Sequence, residues 1–213
     1  MARARFQKLA PGKQEAILAA AADEFAERGF EGASLNRIIE RAGSSKGSIY
    51  YYFEDKADLL VTVVERAVAE VLGGLDLPSL EEFTAEDYWE RLKAVFEQSV
   101  PLLEMDTWYM RVIRSFYRLR DEPGAPVVLS QVMAQGKDLA GTMLARGVEL
   151  GVVRTDLPLE LLVELYLAAD QAGDRWLLRH WDDFGSAERQ ALMAARMDLV
   201  RDMLDASHVG WDR

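Results

Sequence analysis

A short run of small, basic and hydroxyl-bearing residues, Ser45-Lys46-Gly47-Ser48, has the chemistry needed to contact nucleic acid. A lysine can donate to guanine O6 or N7 or to a phosphate, and serine hydroxyls can bond to phosphates or base edges. Glycine lets the backbone approach a duplex closely. Because the run contains no bulky apolar side chain, it could enter a groove if a structural element presents it.

Two tyrosines and a second lysine follow at helical spacing. Tyr50 lies one turn after Lys46 and is expected to face outward. Its hydroxyl, and that of Tyr51, can reach a phosphate. Lys56 is expected at the start of the next helix, where its ammonium group and the helix dipole both favour phosphate.

The element that must position these residues is a pair of short helices. Apolar periodicity predicts helices over Leu35–Ala42 and Ser45–Phe53, with Ser34 as the N-cap of the first. Gly43-Ser44 separates them, and a glycine in so tight a turn indicates a helix-turn-helix. In such motifs the second helix enters the major groove with its N-terminus first.

Charge is distributed unevenly along the 213 residues. The whole chain carries a formal net charge of −11, which would repel phosphate at long range. However, residues 1–56 have a net charge of +1 and residues 57–213 have −12. The local charge therefore permits DNA binding by the N-terminal part, although it does not establish it.

The residue inventory argues against an enzyme. There are no cysteines and two histidines, which excludes thiolate sites and nearly excludes multi-histidine metal sites. No nucleophile–base arrangement is recognisable, and Gly43–Ser48 lacks the spacing of a phosphate-binding loop. We expect no catalytic residue, no cofactor and no metal.

The remaining chain is also predicted to be helical. The apolar period stays near 3.6 and strand-like alternation does not persist, so we expect an all-α protein of about nine helices. One of these, the fifth, should carry Trp89, Leu92, Phe96 and Val100. With no apolar run long enough for a signal peptide or a membrane span, we expect a cytoplasmic protein with no membrane partner.

The stretch from Ser34 to Leu60, with its Gly43 turn and its Lys46-to-Phe53 run, resembles the DNA-binding signature of TetR-family transcriptional regulators. The preceding segment Ile17–Phe30 is similar to that family's first helix. The resemblance covers about residues 12–60. Ser44 and Ile39 depart from the usual pattern, and both departures concern packing.

The resemblance implies two domains and a set of DNA contacts. Residues 1–56 would form a three-helix helix-turn-helix domain, and residues 57–213 a larger helical domain for ligand binding and dimerisation. Arg37 is a weaker candidate than the others, and Arg3 and Arg5 are expected to be a tail rather than a minor-groove arm. The implied DNA-binding residues are Ser34, Arg37, Ser45, Lys46, Gly47, Ser48, Tyr50, Tyr51 and Lys56.

The last two predicted helices have wide apolar faces, which supports dimerisation independently. Small residues near Gly173 would let a partner helix approach closely, and a helical glycine, costing about 1 kcal/mol relative to alanine, suggests a packing reason. Packing within one chain is the alternative. The predicted interface residues are Ala168, Ala172, Met197 and Leu204.

Charged groups among aromatic and methionine side chains suggest a ligand pocket, although such residues also form ordinary cores, surfaces or interface salt bridges. The candidate pocket residues are Trp108, Arg111, Arg114, Tyr117, Met143, Tyr166 and Asp170.

These observations lead to a hypothesis about function. We expect a homodimeric repressor that binds a near-palindromic double-stranded operator and is released by a small apolar or aromatic effector. The alternative is a helical ligand-binding or scaffolding protein whose helix-turn-helix serves protein contacts only.

Overall fold

The computed structural model describes residues 5–122 and 128–208, apart from the side chains of residues 46, 128, 130–133 and 208. These residues form ten α-helices and three short 3-10 turns, which confirms the all-α prediction. Within the same residues, the only β-type pairing is an isolated bridge between Val153 and Asp205. The helices are α1 (Pro11–Gly32), α2 (Leu35–Arg41), α3 (Lys46–Tyr52), α4 (Lys56–Gly74), α5 (Tyr88–Glu97), α6 (Ser99–Glu104), α7 (Trp108–Asp121), α8 (Val128–Glu149), α9 (Leu159–Arg179) and α10 (Ser186–Leu204).

The predicted fifth helix is two helices in the structure. α5 ends at Glu97 and α6 begins at Ser99. Pro101 explains the break, because proline has no backbone N–H and its ring clashes with the carbonyl four residues earlier. A capping contact precedes α5, where the Thr84 N–H donates to Asp87 Oδ1 at 2.8 Å.

α1 is bent near its end by a glycine. Gly29 has φ 70° and ψ −177°, and helical structure resumes as far as Gly32. Only glycine adopts such a conformation readily, because it has no Cβ. Gly29 therefore bends α1 without ending it.

Contacts divide the chain into two compact units. The first unit comprises Met1–Gly74 and Met105–Val132, and the second comprises Leu75–Glu104 and Met133–Arg213. This is a division by packing. The domain boundary at residue 56 concerns function instead, and it stays a prediction.

The core of the first unit is built from α1, α2, α4 and α7. Apolar stripes from the first three helices meet there, with Phe25, Ile38 and Leu59 fully buried. α7 packs against both α1 and α4 and contributes Leu119. The three-helix DNA-binding region is thus completed by helices α4 and α7, which lie further along the chain.

The core of the second unit joins α5, α8, α9 and α10. Tyr88 is fully buried, and its hydroxyl donates to the Met143 carbonyl at 2.8 Å. A smaller cluster of Val100, Leu177 and Met193 extends this core. Burial of these apolar groups is the main stabilising contribution to such a bundle.

Candidate functional site

The turn between α2 and α3 has helix-turn-helix geometry. Gly43 has φ +59°. This value lies in the left-handed region that side-chain-bearing residues disfavour. The Gly43 N–H donates to the Glu40 carbonyl at 3.1 Å, and the Ser44 N–H donates to the Ile39 carbonyl at 3.0 Å. Two of the last carbonyls of α2 are therefore satisfied as the chain turns into α3.

The first turn of α3 is open to solvent. Ser45 is its N-cap and accepts from the Ser48 N–H at 3.2 Å, while the two hydroxyl oxygens lie 2.8 Å apart. Gly47 is exposed, and a Cβ added there would meet nothing within 4 Å. The side chain of Lys46 lies outside the described part of the structure.

The aromatic run of α3 divides between surface and core. Tyr50 and Tyr51 are 50% and 54% exposed, while Ile49 and Phe53 are buried. Tyr52 is half-buried and lies edge-on to Tyr51, with ring centroids 5.3 Å apart. Tyr50 thus faces outward, as expected, while Ile49 and Phe53 face the core.

Ser34 and Arg37 meet at a buried carboxylate that sequence reasoning missed. Ser34 is the N-cap of α2 by position, but its side chain makes no capping hydrogen bond. Instead, Glu24 of α1 accepts from the Ser34 N–H at 3.0 Å and from Arg37 Nε at 2.7 Å. Arg37 also donates to the Gly32 carbonyl at 2.6 Å, so its guanidinium braces α1 against α2.

Burial by itself would raise the pKa of Glu24. Hydrogen bonds from Arg37 and the Ser34 N–H, with the charges of Arg37 and Arg28, outweigh that effect and hold the pKa below its ordinary value. Glu24 is therefore ionised, although it is fully buried. The sequence signal for this role is a glutamate three residues after Ala21 and seven after Ile17, which places it on the apolar face of α1.

Lys56 also has an internal role. Its ammonium group donates to the Glu31 carbonyl at 3.1 Å and the Ala33 carbonyl at 3.5 Å. It lies 4.6 Å from the centroid of the Phe30 ring. The lysine therefore covers the carbonyls at the end of α1, and a phosphate contact would use its remaining donor capacity.

Four of the candidate pocket residues lie on α7 in the first unit. Trp108 Nε1 donates to Glu15, and Arg111 Nε donates to Asp23 at 2.7 Å, so both side chains bind α1. Polar groups of α1 thus take up donors of both side chains, and their assignment to a pocket stays a prediction. The other two are Arg114, which donates to the Met105 carbonyl at 3.4 Å, and Tyr117, whose ring lies 5.1 Å from the Arg120 guanidinium.

The second unit contains a narrow apolar cavity, to which Met143 and Tyr166 do contribute. Its volume of about 10 Å³ is that of roughly one water-sized sphere. Trp89, which was predicted only as a residue of the fifth helix, also lines this cavity. The Trp89 indole N–H is buried and has no hydrogen-bond acceptor among the described residues.

Asp170, also predicted for the pocket, is bound to Arg196 instead. Arg196 Nη2 lies 3.2 Å from Asp170 Oδ1 and 2.8 Å from Asp174 Oδ1. Burial, followed by the charge of Asp174, raises the pKa of Asp170 to about 7, and Arg196 opposes this. The guanidinium lies over Gly173, where an added Cβ would clash with Arg196 Nε. This contact explains a glycine within α9.

The four predicted interface residues fall into two groups. Ala168 and Ala172 are exposed on α9, near Leu165 and Trp176, which are 39% and 45% exposed. The other two agree with the alternative of packing within one chain. Met197 and Leu204 are buried in the second unit, where they line its cavity.

Comparisons with known proteins agree with this geometry. The family description "Bacterial regulatory proteins, tetR family" matches residues 17–63. The transcriptional regulator RutR of Escherichia coli K12 is 30% identical over 165 residues, which are 76% of this chain and 74% of RutR. The transcriptional repressor AcnR of Corynebacterium efficiens is 28% identical over 154 residues, 72% of this chain and 75% of AcnR.

Among solved structures, SmeT, the repressor of the Stenotrophomonas maltophilia multidrug efflux pump SmeDEF, superimposes with a TM-score of 0.69 at 20% identity. The match covers 91% of this chain and 92% of SmeT. At this identity the match shows a shared fold.

The chain belongs to the TetR family of bacterial regulatory proteins. It is a DNA-binding transcriptional regulator, as the helix-turn-helix predicts, and the prediction that it is not an enzyme is confirmed by this membership. In residues 5–122 and 128–208, no helix has both the length and the apolar character required to cross a membrane.

Proposed function

We propose that the protein is a homodimeric repressor whose α3 helices read a near-palindromic operator and whose second unit binds a small apolar effector that causes release. The observation that carries the proposal is the open N-terminus of α3 behind the Gly43 turn. AcnR, one of the similar proteins, is named a repressor, which supports repression.

The proposed DNA contacts follow from exposure and chemistry. Lys46, Gly47 and Ser48 belong to the first turn of α3, which enters the major groove, and Ser45 caps it. The hydroxyls of Tyr50 and Tyr51 contact phosphates on either side. Arg37 and Lys56 act mainly by fixing α1, α2 and α4 around the motif, because their side-chain donors have internal partners. Ser34 donates its backbone N–H to Glu24, and its hydroxyl is proposed to contact a phosphate.

The effector site is proposed at the cavity of the second unit. Its walls are apolar, among them Phe96, Met143 and Tyr166, so an apolar or aromatic effector fits their chemistry. The buried Trp89 N–H would add a preference for a molecule carrying a hydrogen-bond acceptor. Because the cavity holds only about one water, the effector must select a more open conformation and gain its affinity there.

Dimerisation is proposed through the exposed apolar face of α9 and α10. Leu161, Leu165 and Trp176 of α9 and Leu199 of α10 are between 39% and 66% exposed. A second copy would cover them by a two-fold interface, in which the same patch contributes from both chains. Two recognition helices would then bind half-sites separated by roughly 10 bp or a multiple of it.

DNA binding is tested with a labelled duplex selected by the protein from a random library, alongside an unrelated duplex. Lys46→Ala should weaken binding to the selected duplex, and either change preference at one base pair or reduce the log–log salt slope by about one. Tyr50→Phe should weaken both duplexes nearly equally. Lys137→Ala, which removes the same charge from an exposed ion pair of the second unit, is the control.

Wild-type protein without salt-dependent binding to either duplex would refute the regulator function and favour a scaffold whose helix-turn-helix contacts proteins. If Lys46→Ala and Tyr50→Phe both bind like wild type while folded, the assignment of α3 as the recognition helix is wrong.

The effector site is tested by operator release in a screen of small apolar and aromatic compounds. Trp89→Phe keeps an aromatic ring but removes the buried donor, so it should raise the concentration needed for release. Trp181→Phe, at a tryptophan packed under Arg189, should not. A compound that releases the operator equally well from both variants and from Met143→Ala would place the effector elsewhere.

A further inference from the structure

Residues 5–10 are attached to the recognition helix rather than extending freely. Phe6 is only 4% exposed, and its ring centroid lies 5.0 Å from that of Phe53 and 6.1 Å from that of Tyr52. The backbone turns there, since the Leu9 N–H donates to the Phe6 carbonyl at 2.9 Å. Phe6 therefore anchors this segment to the C-terminal end of α3.

A second attachment comes from α1. The Gln14 side-chain amide donates to the Leu9 carbonyl at 2.7 Å and to the Gln7 carbonyl at 3.2 Å. The segment is thus held by an aromatic contact at one end and by hydrogen bonds at the other. Its direction relative to α3 is determined by the fold of the first unit.

This attachment places Arg5 on an exposed aromatic ring. The Arg5 guanidinium carbon lies 4.6 Å from the centroid of the Tyr51 ring. Tyr51 is four residues after Gly47 and three after Ser48, so it shares their face of α3. Arg5 consequently lies on the side of α3 that is proposed to face DNA.

The guanidinium is available for a ligand. Arg5 is exposed, and Tyr51, whose ring it contacts, is 54% exposed. Stacking on a tyrosine orients the planar guanidinium before binding, which lowers the entropy cost of forming its hydrogen bonds. Together, the guanidinium N–H groups of Arg5 and the hydroxyl of Tyr51 present several hydrogen-bond donors to a single phosphate group.

We propose that residues 5–10 form an anchored arm and that Arg5 and the Tyr51 hydroxyl together bind one backbone phosphate of the DNA. The proposal rests on the proposed function, and it adds a contact that the helix-turn-helix alone does not supply. It also replaces the expectation that Arg5 belongs to a tail, because the burial of Phe6 fixes its position.

The test uses the full chain and measures binding to a selected and an unrelated duplex over a range of salt concentrations. Arg5→Ala should weaken binding to both duplexes equally, by roughly three- to tenfold, and make the salt slope shallower by about one. Arg66→Ala is the matched control, since it removes an equal charge from an exposed ion pair on α4. It should leave both quantities unchanged.

Two further variants separate a joint contact from a simple charge effect. Arg5→Lys keeps the charge but loses the planar stack, so it should recover the salt slope and only part of the affinity. If one phosphate is shared, Tyr51→Phe should cost less in the Arg5→Ala background than in wild type. Thermal unfolding should be the same for all these surface variants.

The proposal is overturned if Arg5→Ala binds both duplexes with the same affinity and salt slope as Arg66→Ala. It is also overturned if the losses in affinity caused by Arg5→Ala and Tyr51→Phe simply add in the double variant. A change in sequence preference would also overturn it, because that would indicate contact with base edges. Failure of the proposed function gives a different result, in which wild-type protein itself shows no salt-dependent binding.

Discussion

Among single residues, the buried Glu24 carboxylate organises the first unit. It joins α1 to the start of α2 through the Ser34 N–H and the Arg37 guanidinium. A buried carboxylate is costly unless it is compensated. Here Oε1 accepts both hydrogen bonds, and Oε2 lies 3.8 Å from Arg28 Nε. The orientation of the helix-turn-helix therefore depends on a residue that makes no proposed DNA contact.

Glu24→Gln should reduce the free energy of unfolding by about 1–2 kcal/mol at pH 7, since the half-exposed Arg37 can partly rehydrate. Because the folded-state pKa of Glu24 is lowered, its stabilisation is present above its unfolded pKa, near 4.5, and is lost as the pH falls through the folded value. Urea titrations at pH 7 and in the acid range should show the difference between the two proteins shrinking. Glu27→Gln, at an exposed pair with Arg41, is the control and should change little.

Gly173 gives a second prediction for a single residue. Alanine normally stabilises a helix by roughly 1 kcal/mol over glycine. Here, however, a Cβ would displace the Arg196 guanidinium from Asp170 and Asp174, so Gly173→Ala should give no gain in stability. Gly136→Ala, in open space on α8, should gain about 0.5–1 kcal/mol in denaturation at equal protein concentration. A similar gain at both positions would show that the arginine contact is unimportant.

Among the helices, α7 is the one that holds α1. Trp108, Arg111 and Arg118 donate in turn to Glu15, Asp23 and the Ala26 carbonyl. Beyond the end of α7, the Glu122 carboxylate accepts from the Phe30 N–H at 2.7 Å. Arg111 and Arg118 lie three and ten residues after Trp108, on one face of the helix, which makes α7 a brace along the length of α1.

At the bend of α1, Gly29 lies directly against the Glu122 carboxylate that follows α7. An added Cβ would clash with Glu122 Oε1, in a backbone conformation that already disfavours side chains. Gly43→Ala, in a left-handed turn with open space around it, should cost about 1–2 kcal/mol. Gly29→Ala should cost more, and its cost should fall in a Glu122→Ala background, because only the backbone strain remains. Denaturation that shows an equal cost in both backgrounds would refute the contact.

For the whole molecule, an acidic protein of net charge −11 has to bind a polyanion through a small surface. A two-fold dimer would double that surface on the operator. Ala172→Glu places a charge on the exposed small-residue face of α9 in both copies, so it should shift the protein from dimer to monomer in light scattering and weaken operator binding. Ala134→Glu, exposed on α8, should leave the dimer intact. A wild-type monomer at micromolar concentration would contradict the proposed assembly.

Local signals in the sequence are sufficient to predict the all-α class, the helix-turn-helix and the family. The spacing of Gly43, Lys46 and Phe53 is a local pattern. It specifies a turn and the outward and inward faces of a short helix without reference to the rest of the fold. Even the break in α1 is visible at Gly29, since a glycine that interrupts an apolar stripe marks a change in backbone direction.

The long-range partners of the side chains, in contrast, depend on how the helices pack. The sequence does not show which groups Trp108 and Arg111 contact, and the packing of α7 on α1 is what brings their donors to Glu15 and Asp23. Met197 and Leu204 belong to an apolar stripe that could face a second chain or its own core, and the fold directs them inward. Phe6 lies far in sequence from Phe53, so no local pattern could show that their contact would place Arg5 beside the recognition helix.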